Sequence, residues 1–306
     1  MSTPPHPSPT HLILVPCHSI YTGPPHLPSH EVSLPSNWLL QPFQTGEQHT
    51  FIQHIQHSVS LLRQENSSSS NTAILIFSGG TTHPLSPHNL SEAHSYYNAA
   101  LSLNLLSPND LLAGSVLLES SALDSYQNLL HSILLFHQQT SIWPQRISIV
   151  GFAFKRARME ELHATALGLE GRVRVEGIDP GYMDSGSEEW DRERAERTRE
   201  GERRGGWEAW RGDMRGVGRE LRGKRDARDW GVGGWRDGEE ERKEGKKRRV
   251  RERGLFGSEE ERRRSGVRTK WVEYVSECPR EDWARYEVLV REEILVEGVE
   301  QPWEKI

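Results

Sequence analysis

Ala73-Ile74-Leu75-Ile76-Phe77-Ser78-Gly79-Gly80-Thr81-Thr82 decides the fold. The unbroken apolar run reads as a strand buried on both faces, and it passes directly into a glycine turn carrying three hydroxyls. The same device recurs around it. His11 to Val15 runs into Pro16-Cys17-His18, Val116 to Leu118 into Glu119-Ser120-Ser121, and Arg146 to Val150 into Gly151-Phe152, while Val173 to Ile178 reads as a fifth strand.

Helical patterns lie between these runs. Phe51, Ile52, Ile55, Val59 and Leu62 recur at helical spacing until the serines Ser67 to Ser70. Leu90 to Leu106 follows, with Ser91 as N-cap and Glu92 in the first turn. Leu123 to Gln138 is next, with Ser121 and Asp124 spaced as a capping box, and Lys155 to Leu167 is the last. Proline-rich Tyr21 to Gln44 cannot be a helix and is expected as an ordered loop or lid. The fold class is therefore α/β: Rossmann-like, with a mostly parallel sheet of about five strands and helices on both faces. Strand-end turns of such a sheet share one edge, so the four turns predict one composite pocket.

Charge divides the 306 residues. Up to Phe154 the only Lys or Arg residues are Arg63 and Arg146, whereas Glu188 to Arg264 is dense in charge of both signs. We read 1–10 as a disordered N-terminus, 11–186 as the Rossmann-like domain, 187–265 as a charged low-complexity region, helical or disordered, and 266–306 as a C-terminal segment with helical character. Arg, Gly and Trp interleaving raises a nucleic-acid reading, but interspersed Glu and Asp cancel most of the potential it needs. Cys17 and Cys278 form neither a disulfide framework nor a metal spacing. No membrane span or export signal is read. The expectation is a cytoplasmic protein with no metal.

Ser78, Gly79, Gly80 and Thr81 form a turn whose amides could cradle an anion, the alternative being a plain tight turn. Glu119 at a strand end is the candidate acid or base, with Asp124, Ser125 and Asn128 opening the following helix beside it. Lys155 and Arg156 are the first basic cluster and suit a phosphate or carboxylate. Adjacent Cys17 and His18 could suggest a nucleophile, but sequence neighbours are rarely paired in space.

Phe77-Ser78-Gly79-Gly80, Ser91-Glu92-Ala93, Glu119 with Asp124-Ser125-Tyr126-Gln127-Asn128, and Val150-Gly151-Phe152 with Lys155-Arg156-Ala157-Arg158 occur in this order. Together they resemble the domain-of-unknown-function 218 family that includes YdcF, SanA and ElyC, in its eukaryotic cytosolic branch, where Leu162-His163 also has a counterpart. The resemblance spans Leu12 to Pro180. It implies a Rossmann-like sheet whose carboxyl-edge pocket is lined by Gly79, Gly80, Glu92, Glu119, Asp124, Ser125, Gln127 and Asn128. Asp124 stands where the family has an amide and Gln127 where it has an acid, so if the family's acid at the latter place takes part in proton transfer, Gln127 cannot replace it. S-adenosylmethionine enters as a cofactor only through this resemblance.

Two functions stand at this point. One is a pocket for a nucleotide-like, adenosyl or phosphorylated small molecule, with or without catalysis. The other is a non-catalytic adaptor or nucleic-acid-associated protein acting through the charged C-terminal region.

Overall fold

A computed structural model of the chain describes residues 9–67, 72–242 and 246–306, with side chains 236–246 left aside. Residues 1–8, most of the expected disordered N-terminus, lie outside the described residues. The first unit runs β1 (His11–Pro16), β2 (Ile20–Tyr21), β3 (Trp38–Leu39), α1 (Gln48–Asn66), β4 (Ala73–Ser78), α2 (Glu92–Ser102), α3 (Pro108–Leu112), β5 (Val116–Glu119), α4 (Ser125–Thr140), β6 (Arg146–Gly151), α5 (Ala164–Ala166) and β7 (Val173–Gly177). A five-stranded sheet, ordered β5-β4-β1-β6-β7 and parallel throughout, forms its centre.

Alternation along each strand sorts the core into two layers. Leu12, Leu14, Ile74, Ile76, Ile147 and Ile149 pack with Leu129, Ile133 and Phe136 of α4 on one face. Ile13, Val15, Leu75 and Phe77 meet Phe51, Ile55 and Val59 of α1 and Tyr96 of α2 on the other. With helices on both faces, continuous apolar strands are required rather than alternating ones. The α/β, Rossmann-like expectation is met. The cap of α4 differs: Asp124, not Ser121, accepts from the Gln127 amide at 2.9 Å. The Ser121 amide is drawn instead to the Glu119 carboxylate.

After β7 come α6 (Arg192–Gly201), a π-helical turn Glu202–Glu208, α7 (Ala209–Gly212) and α8 (Arg219–Arg228). Then follow β8 (Trp235–Arg242), β9 (Lys246–Arg253), α9 (Glu259–Ser265), β10 (Thr269–Val275), α10 (Glu281–Ala284) and β11 (Tyr286–Leu295). The strands form a second sheet ordered β10-β11-β9-β8. This corrects the reading of 187–265 as helical or disordered and of 266–306 as helical: helices are present, but a four-stranded sheet lies among them.

Charged residues can occupy these strands because they are paired. Arg251 and Arg253 both bond Asp229, Arg253 also pairs with Asp226 at 2.8 Å, and Arg248 meets Glu287 at 2.7 Å. The small apolar cluster of Trp283, Val288 and Val290 anchors this sheet.

The two units share a core. Trp303 is fully buried, donates Nε1–H to the Leu167 carbonyl at 2.6 Å and meets Trp143 edge-on, while Trp210, Leu221 and Leu295 join the α4 layer. Between them Arg225, 2% exposed, spans Asp124 at 2.8 Å and Glu292 at 2.6 Å. Removing a buried guanidinium strands two carboxylates in low dielectric. Arg225→Ala therefore lowers stability by about 3–5 kcal/mol in chemical denaturation, whereas Arg192→Ala, which breaks the exposed pair with Glu196, leaves it unchanged within error.

Candidate functional site

Numbered within the first sheet, the chain moves from β1 outward to β4 and β5, then returns to the other side of β1 with β6 and β7. Such a reversal opens a crevice beyond the carboxyl ends of the two central strands. Here those ends are Cys17-His18-Ser19 after β1 and Phe152 after β6, and both line a cavity of about 1070 Å³. The loop 39–45 covers one side, held by Gln44 donating to the His18 carbonyl at 2.8 Å. Glu92 of α2 and Ser125 and Asn128 of α4 line it from the strand side. The C-terminal unit closes it with Arg194, Arg197, Glu202, Gly205, Gly206 and Arg228.

Among the residues singled out from sequence, Glu92, Asp124, Ser125, Asn128 and Lys155 line this cavity. Ser78, Gly79, Gly80, Thr81 and Glu119 stand behind its wall. The Gly79 amide donates to the Glu119 carbonyl at 3.0 Å and the Gly80 amide to the Ala122 carbonyl at 2.7 Å, so neither is free for an anion. A Cβ on Gly79 would lie 2.9 Å from the Glu92 Cβ, and one on Gly80 would lie 3.0 Å from the Ala122 carbonyl oxygen. Close approach of α2 and the turn 120–122 is thus what requires the glycines; the tight-turn reading replaces the anion cradle.

Glu119 is corrected in the same way. Its carboxylate accepts from Ser78 Oγ at 2.6 Å and from the amides of Ser121 and Ala122, with His131 Nδ1 at 3.4 Å. Burial pushes its pKa up, but His131, Ser78 and the Ser121 amide outweigh that and hold it below the usual range. An ionised carboxylate with every lone pair engaged ties β4 to β5 rather than serving as acid or base.

Arg156 is exposed; Arg158, two residues on, enters the cavity instead. It donates to Glu202 at 3.0 Å and to Ser125 Oγ at 2.9 Å. Ser125 Oγ in turn shares a hydrogen bond with Nε2 of His163 at 2.8 Å. Burial, then Arg158, lower the His163 pKa to about 3, which keeps the ring neutral. Arg158 follows Lys155 by three residues, a spacing that places both on one helix face and could have singled it out. Nothing in the sequence points to Arg228.

Lys155 has no hydrogen-bond partner among the described residues; its Nζ lies 4.6 Å from the Phe152 ring centroid and 5.5 Å from that of Phe154. Burial foremost, and Arg158, lower its pKa to about 8. Burial raises Glu92 to about 8 against the opposing bond from the Thr82 hydroxyl. His18 stacks on Phe152 at 4.6 Å, and burial drives its pKa well below the ordinary value. No group of three or more His, Cys, Asp or Glu side chains that could hold a metal ion occurs among the described residues. Nor is any described helix long and apolar enough to cross a membrane.

No family model matches the chain, and no solved structure matches it either. Over 208 residues, covering 55% of this chain and 67% of the relative, it is 35% identical to the Saccharomyces cerevisiae protein named Uncharacterized protein YOR238W. At that identity and coverage, the chain belongs to the family of this yeast protein.

Proposed function

We propose that the chain binds a phosphorylated, nucleotide-like small molecule in the switch-point cavity, in the cytoplasm. One observation carries the reading: Lys155, without a hydrogen-bond partner among the described residues, presents an ammonium to a cavity that Arg158 and Arg228 also line. Opposing acids are accounted for. Asp124 is paired with Arg225, Glu202 with Arg158 and Glu47 with Arg194, with the Tyr182 hydroxyl also donating to Glu47, while Glu92 is largely protonated at neutral pH. The remaining field favours an anion. The partly exposed ring of Phe154, which lines the cavity, offers a stacking surface for a base or other flat group.

The YdcF-type resemblance stays part of this proposal, but S-adenosylmethionine fits it poorly: its sulfonium adds a cation to a cationic cavity. The adaptor reading loses ground because the C-terminal region supplies cavity walls and uses many of its charges in pairs.

Thermal shift and calorimetry with AMP, ATP, pyrophosphate and S-adenosylmethionine test the proposal. The phosphorylated ligands stabilise the full chain, and Lys155→Met weakens their binding at least about tenfold, as expected for a charge-assisted bond of about 1.5–3 kcal/mol. Equal affinity in wild type and variant retires the reading. Affinity falls as pH rises through about 8, where Lys155 loses its proton and Glu92 gains a charge.

Glu92 makes a separate prediction. Its folded pKa lies above its unfolded one, so between about 4.5 and about 8 the folded state binds more protons and stability declines with rising pH. Glu92→Gln flattens that decline. Denaturation at pH 5 and pH 8 shows a gain on the order of 1–3 kcal/mol that is confined to the higher pH.

A further inference from the structure

We propose that Lys155 forms a covalent imine with a small phosphorylated aldehyde or ketone held in the cavity. This rests on the anion-binding reading and adds a reaction to it. Three observations lead there. Nζ lies against the rings of Phe152 and Phe154 in the cavity lining, and among the described residues neither a hydrogen bond nor an ion pair satisfies it, so the nitrogen is available to an incoming carbon. Arg158 and Arg228 line the same cavity, where they can hold a phosphate while disfavouring a third positive charge.

The third observation is compositional. The chain has seven lysines among its 38 basic residues, and Lys155 is the only one before Lys224. A chain that draws most of its positive charge from arginine has, at this cavity, the one basic side chain whose nitrogen can lose its proton and form a double bond to carbon. Desolvation beside other cations is how an amine becomes nucleophilic near neutral pH, in line with its pKa of about 8.

The step balances without an oxidant or a second reactant. The Nζ lone pair forms the C–N bond as the carbonyl π pair moves to oxygen, which takes a proton from nitrogen. The C–O bond then breaks and the oxygen leaves as water with a proton from the Glu92 carboxyl, which lines the same cavity in its protonated form. The nitrogen lone pair closes the C=N bond. An iminium and the Glu92 carboxylate remain.

The full chain is incubated with glyceraldehyde 3-phosphate or pyridoxal 5′-phosphate as probe, reduced with borohydride and mapped by peptide mass spectrometry. With seven lysines the readout is simple. The expected result is about one reduced adduct per chain, on Lys155, lost in Lys155→Arg and in Lys155→Met and suppressed at least tenfold by excess pyrophosphate. Adducts spread over Lys224, Lys270 and Lys305 with no preference for Lys155 overturn the proposal. So does thermal stabilisation by pyrophosphate without a Lys155 adduct, which leaves the anion site standing. An adduct on Lys155 that pyrophosphate does not suppress supports the imine and overturns the anion reading instead.

Discussion

Arg225 is a buried cation that three elements depend on. Its guanidinium comes from α8, bonds the N-cap carboxylate of α4 through Asp124 and reaches Glu292 on β11. A charge this deep is tolerated only with both acids in place, and each acid is tolerated only with the charge. The three partners lie 101 and 67 residues apart along the chain, so the arrangement exists only once both units have folded together. It fixes the first turn of α4, which carries Ser125, and the end of α8, which carries Arg228. Both residues face the cavity.

The cavity is built by both units from different materials. The parallel sheet supplies the crevice, because reversal of strand order at β1 leaves the β1 and β6 ends uncovered by a crossover. The C-terminal unit supplies much of the roof and the cationic excess. Charge pairing explains how a region so rich in Arg and Glu can pack at all: Arg251, Arg253, Asp226 and Asp229 neutralise one another at the base of the second sheet. Among the described residues, Lys155 and Arg228, which both line the cavity, have no ion pair.

Glycine and acid at strand ends are ambiguous signs in a Rossmann-like sheet. Gly79, Gly80 and Glu119 have the residue types of a ligand loop, yet their hydrogen bonds are used up joining β4, β5 and α2. Glu92 and Lys155 have the opposite character: each is desolvated, each faces the cavity, and burial moves their pKa values toward each other. The desolvated, cavity-facing groups therefore lie beside the β1 and β6 ends rather than at the glycine turn.

The strands of the first sheet were legible because a doubly covered strand must be apolar along its whole length, as His11 to Val15 and Ala73 to Phe77 are. Its helices were legible from spacing and caps, Ser91 above all. Asp124, Ser125, Asn128 and Lys155, which line the cavity, were singled out from sequence because a residue at a strand end or first helical turn is placed at the rim by topology, whereas Glu92 entered as a pocket residue through the family resemblance. The second sheet was hidden because its strands are stabilised by ion pairs between residues such as Arg253 and Asp229, and composition shows charges without showing their partners. Arg156 against Arg158 was a matter of helix phase, set by the short turn Ala153–Lys155 and the π-helical turn Arg158–His163. Sequence by itself thus determined the parallel sheet and the edge at which the cavity opens, because hydrophobic periodicity is a local property. Which cations face the cavity was decided only by tertiary structure, because burial and charge pairing depend on residues brought together from distant parts of the chain.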